Sequence, residues 1–95
     1  MLTPKQKAKL KSIAQNERSV FQIGKDGLSD NLITDVLNYL NKHEIIKLSI
    51  LQNSLVESED VIEFFAQEDI EFVEKKGRTL VFYKQSDNAK DPIKL

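Results

Sequence analysis

The residues with the most pointed chemistry are Gly24-Lys25-Asp26-Gly27, four positions that join a β-branched and aromatic run to the start of a helical pattern. Two glycines let the main chain approach a ligand closely and take positive φ. The helix that follows opens with N–H groups that have no intrahelical acceptor and carry partial positive charge, and phosphate is the natural ligand for them. Lys25 adds a full charge. No other set of side chains is as specific. His43 is the single histidine, and with no cysteine or second histidine to join it, it reads as a residue favoured at a helix C-terminus rather than as a metal ligand or base. No Gly-x-Ser-x-Gly occurs, and the glycine tetrapeptide is too short for a phosphate loop ending in Gly-Lys-Ser/Thr. The expectation is a chain with no catalytic residue, no metal and no cofactor.

A loop of this kind works only if a strand and a helix hold its two ends. Ser19-Val20-Phe21-Gln22-Ile23 has strand composition and stops at Gly24. After the loop, Leu32, Ile33, Val36, Leu37 and Leu40 recur at helical spacing, which predicts a helix over about 30–42 with Ser29 as its N-cap and Leu28 stapled on Ile33. Upstream, Thr3 and Pro4 make a cap and a first helical residue for a segment over about 4–16 that keeps Leu10, Ile13 and Ala14 on one stripe and spreads Lys5, Lys7, Lys9 and Lys11 over its solvent side. Downstream, 44–51 alternates like a half-buried strand, and Val61, Ile62, Phe65 and Ala66 return to helical spacing over about 58–68. Ile70 to Glu74 and Thr79 to Tyr83 flank Lys75-Lys76-Gly77-Arg78 as a hairpin. The polar segment from about Gln85, with Pro92, is expected to be a loose tail. The order α-β-α-β-α-β-β predicts an α/β domain over 1–84: two strand–helix–strand units with right-handed crossovers, closed by a hairpin into a mixed four-stranded sheet packed with helices.

With 95 residues the chain has room for one modest core and no second domain. Its formal net charge of -1 excludes a uniformly basic coat, so the distribution carries the information. Residues 1–25 hold Lys5, Lys7, Lys9, Lys11, Arg18 and Lys25 against Glu17 alone. Residues 57–74 hold Glu57, Glu59, Asp60, Glu63, Glu68, Asp69, Glu71 and Glu74 with no Lys or Arg, and the last residues turn basic again through Lys75, Lys76, Arg78, Lys84, Lys90 and Lys94. The acidic element lacks the alternating Asp/Asn loop of a calcium site and reads as a solvated face. Its alternative is a docking face on a protein-interaction module that meets phosphate only incidentally. The absence of cysteine fits a reducing interior such as the cytoplasm, and no apolar run approaches the roughly 18 residues that cross a bilayer.

A GxxG loop is how KH domains clamp the backbone of single-stranded RNA. Four spaced runs go further: Leu2-Thr3-Pro4-Lys5-Gln6-Lys7 with Leu10-Lys11, Phe21 to Leu28, His43-Glu44-Ile45-Ile46-Lys47-Leu48, and Gly77-Arg78-Thr79-Leu80-Val81-Phe82-Tyr83-Lys84. Together, over about 2–84, they resemble the YhbY-like family of small CRM-domain proteins. The resemblance implies a fold similar to the C-terminal domain of translation initiation factor three and RNA binding centred on the GxxG loop. It also implies association with precursors of the large ribosomal subunit and hence ribosomal RNA as the partner. The acidic 57–74 segment is then expected to point away from RNA or to meet a basic ribosomal protein, and the domain is expected to be a monomer. The resemblance assigns the RNA-binding role to Gly24, Lys25, Asp26 and Gly27, with the basic first helix on Lys5, Lys7, Lys9 and Lys11 and the end motifs on Arg78 and Lys84. Three positions depart from the pattern. Asp26 stands where many relatives have a basic residue, Ser19 where a proline is common, and 67–70 is more acidic than the usual small-residue turn.

Overall fold

The computed structural model describes residues 2–95. Among them, α1 (Pro4–Ala14), β1 (Phe21–Ile23), α2 (Asp30–His43), β2 (Ile45–Ile50), α3 (Ser58–Ala66), β3 (Glu71–Lys76) and β4 (Thr79–Tyr83) follow in the predicted order. Local chemistry explains the ends. The Thr3 hydroxyl accepts the Gln6 amide at 3.1 Å while Gln6 Oε1 accepts that of Thr3 at 2.9 Å, a reciprocal capping box ahead of Pro4. Ser29 caps α2 by accepting the Leu32 amide at 3.1 Å. Helix α2 ends where Glu44 takes φ 65, and α3 is closed by Asp69 at φ 58 with the Ile70 amide on the Phe65 carbonyl at 3.1 Å.

The sheet order is β1-β2-β4-β3. β1 is parallel to β2, whereas β4 is antiparallel to both β2 and β3. β3 therefore also runs parallel to β2, and the second strand–helix–strand crossover leaves one slot open that the returning hairpin strand fills. Three of the four strands point the same way, so the connections leaving them emerge at one edge.

Both sheet faces are covered. α2 and α3 lie over one, enclosing Ile23, Ile33, Val36, Leu40, Ile46, Leu48, Ile50, Val61, Phe65, Ile70, Leu80 and Phe82. Leu10 and Ala14 of α1 lie over the other with Ile45, Val73, Val81 and Tyr83. β2 was expected to be half-buried. Instead Ile45 is buried on the face opposite Ile46, Leu48 and Ile50, because α1 covers the side that alternation assigned to water. A register shift between Phe72 and Glu74 bends β3.

Residues 85–95 form no helix or strand, yet they lie against the body. Glu44, 1% exposed, accepts the Ser86 amide on one carboxylate oxygen and the Ile93 amide on the other, each at 2.7 Å. The Ser86 hydroxyl donates to the Asn41 carbonyl at 2.6 Å, the Lys9 ammonium donates to the Lys94 carbonyl, and Ile93 packs against the α1-side core.

Candidate nucleic-acid interface

The connection after β1 carries the glycine tetrapeptide, that after β2 spans 51–57, and that after β3 is the Gly77-Arg78 turn. All three meet at the shared edge. The Leu51 amide donates to the Ile23 carbonyl at 2.8 Å, the Ile50 amide donates to the Arg78 carbonyl at 2.8 Å, and the Arg78 guanidinium lies 3.5 Å from the Leu51 carbonyl.

Within the loop, the Gly27 amide donates to the Gly24 carbonyl at 3.1 Å and closes a tight turn. The two glycines are not equivalent. Gly27 has φ +68 and faces Val56, whose methyl would stand 3.2 Å from an added Cβ, so a side chain there would be strained in conformation and would crowd Val56. Gly24 does not take positive φ, contrary to the expectation for it, and an added Cβ would meet Leu51 at an ordinary 3.4 Å. Leu28 packs on the core that holds Ile33, which anchors the loop's exit. The Ser29 hydroxyl and carbonyl take the amides of Leu32 and Ile33, and the opening N–H groups of a helix have no intrahelical acceptor. Lys25 and Asp26 are exposed at the tip.

The basic residues divide. Arg78 joins Lys25 at the loop edge, and exposed Lys75 and Lys76 stand beside it at the end of β3. Sequence reasoning missed these two because a lysine pair before a hairpin glycine reads as turn chemistry. Leu55, 96% exposed on the neighbouring 51–57 loop, gave no signal either. Lys84 lies at the far end of β4, six residues or about 20 Å from Arg78, where its ammonium donates to the Glu68 carbonyl at 3.0 Å. α1, which carries the other lysines, packs on the face of the sheet opposite α2. Lys7 shares a groove with Leu2, Ile62, Asp69, Glu71 and Phe72, and Lys9 is engaged with Lys94. Lys5 and Lys11 are exposed, Lys11 in the last turn of α1. The fold thus gathers Gly24–Gly27 with Arg78 and puts Lys7, Lys9 and Lys84 at other stations.

Among the described residues, no three His, Asp or Glu side chains converge as a metal site requires, and no helix is long and apolar enough to cross a membrane.

The CRS1 / YhbY (CRM) domain model matches residues 2–84. "Probable RNA-binding protein YqeI" of Bacillus subtilis is 40% identical over 91 residues, which cover 95% of each chain. "RNA-binding protein" of Haemophilus influenzae is 31% identical over 90 residues, 94% of this chain and 91% of that one. The solution structure of the hypothetical protein SAV1595 from Staphylococcus aureus superposes with a TM-score of 0.75 at 36% identity, covering 92% of both chains.

Proposed function

The chain belongs to the CRS1/YhbY (CRM) domain family, and from that premise we propose that it binds RNA, holding the sugar–phosphate backbone at the loop edge of the sheet. The names of its relatives support the ligand class. The observation that carries the reading is the convergence of the three connections: a turn with Gly27 at φ +68 opens onto the first turn of α2, with exposed Lys25 in it and exposed Arg78 on the hairpin turn at the same edge. Phosphate oxygens meet backbone amides and two cations there, which positions RNA without reading its sequence. Asp26 removes one contact and adds repulsion. The family resemblance extends the proposal to ribosomal RNA in precursors of the large ribosomal subunit, in the cytoplasm, where a monomer without enzymatic activity assists assembly.

Two experiments test this reading. Lys25→Glu is expected to abolish, and Gly27→Asp to weaken, binding of a labelled oligoribonucleotide followed by fluorescence anisotropy. Sedimentation of cell extract is expected to place the protein with large-subunit precursors rather than mature particles. If both variants bind RNA and co-sediment as the parent does, the loop is not the clamp, and co-sedimentation through a protein partner on the acidic 57–74 segment becomes the leading reading.

A further inference from the structure

Three aromatic rings form a short column on the flank of α2. Phe21 of β1 meets Tyr39 edge-on, with centroids 5.9 Å apart and planes at 83°. Tyr39 in turn lies on His43, one helical turn further, with centroids 4.3 Å apart and planes at 36°. Phe21 is fixed against the main core and Tyr39 is half-buried, but His43 is exposed. The column therefore has a rooted end and an end in solvent. The rings border a shallow, open cleft completed by Asp35, Asn38 and Lys42. β1, which supplies Phe21, is an edge strand, so no further strand of the sheet covers that side.

We infer that this cleft is a second RNA contact, in which an unpaired nucleobase stacks on the outer face of His43 and extends the Phe21–Tyr39–His43 column by one ring. Four observations choose the occupant. A flat exposed ring backed by two others is a rigid stacking platform, and every base offers a π-face to it. The Asn38 amide supplies both a donor and an acceptor for a base edge, and Lys42 supplies a cation for the phosphate of the same nucleotide. Asp35, on the same wall, repels phosphate and accepts from base amino groups, so the base enters the cleft and the backbone stays outside. The position is continuous with the phosphate-binding loop: α2 runs from Ser29 at the loop to His43 at the column, about 21 Å of helix, which an extended single strand of a few nucleotides covers.

This inference rests on the RNA reading above and adds a requirement to it, namely that the strand be unpaired. His43→Ala tests it with little risk to the fold because the side chain is exposed, and Tyr39→Leu removes the second ring while keeping apolar volume. The probe is a short single-stranded oligoribonucleotide carrying 2-aminopurine, whose fluorescence is quenched by stacking, with a blunt RNA duplex alongside. For the single strand, His43→Ala is expected to weaken binding roughly tenfold, within the range for loss of one stacked base, and to remove the quench without changing the salt dependence. His43→Phe is expected to restore both, which separates stacking from charge. Duplex affinity is expected to stay at the parent's value. Single-strand binding and quench that survive in both His43→Ala and Tyr39→Leu overturn the inference, even where Lys25→Glu still abolishes binding. A parent protein that binds neither probe overturns the RNA reading itself.

Discussion

Gly27 and Glu44 show how single residues here carry constraints that their types alone do not announce. Gly27→Ala forces a side chain into φ +68 against Val56, and left-handed backbone costs about 1–2 kcal/mol for an ordinary residue. Gly24→Ala meets no such barrier and is expected to leave stability nearly unchanged, a contrast that urea denaturation reads directly. Glu44 combines a left-handed helix end with a buried carboxylate that ties down two amides of the C-terminal segment. Hydrogen bonds to a charged group are the strong ones, so Glu44→Ala is expected to cost about 2–3 kcal/mol. Amide exchange at Ser86 and Ile93 is expected to accelerate in the same variant.

At the scale of elements, the direction of the strands matters more than their composition. Because β1, β2 and β3 run parallel, their outgoing connections share one edge, and the hairpin turn brings Arg78 to the glycine loop across more than 50 residues of sequence. The same geometry sends Lys84 to the other edge, where the Glu68 carbonyl engages it. Helix α3 terminates through Asp69 at φ 58, in the acidic 67–70 turn. Asp69→Gly is therefore expected to stabilise the protein by up to about 1 kcal/mol, measured as a shift of the denaturation midpoint at constant slope.

For the whole molecule, a net charge of -1 means that affinity for a polyanion must come from a local concentration of cations. If Lys25, Lys42 and Arg78 alone meet phosphates, the slope of log K against log salt for single-stranded RNA is about −2. Engagement of all seven cations picked out in the sequence would steepen it to about −5. Alkaline pH tests the packing independently. Burial first, and then Glu44 and Glu71, raise the Tyr83 pKa above 10.0, and burial with nearby Glu17 raises that of Tyr39. The native state thus holds these phenol protons more tightly than the unfolded chain does, so their contribution to stability is complete below pH 10 and is lost as pH rises through the folded values. An absorbance titration is expected to find both tyrosines ionising above free tyrosine, with stability falling over the same interval.

Much of this was legible from the residues. Helical spacing, the Thr3 and Ser29 caps and the glycine turn are written in contacts between residues three or four apart, so the elements, their order and the loop that heads α2 follow from local chemistry. The family too is carried by short motifs in order along the chain. Long-range pairing decided the rest. That β4 fills the slot between β2 and β3, that α1 covers the second face and buries Ile45, and that Glu44 fastens residues 86 and 93 all depend on groups distant in sequence meeting in space. No local pattern encodes which of several basic residues end up beside the same glycine. The common direction of three strands, and the helix that closes the back of the sheet, set that arrangement.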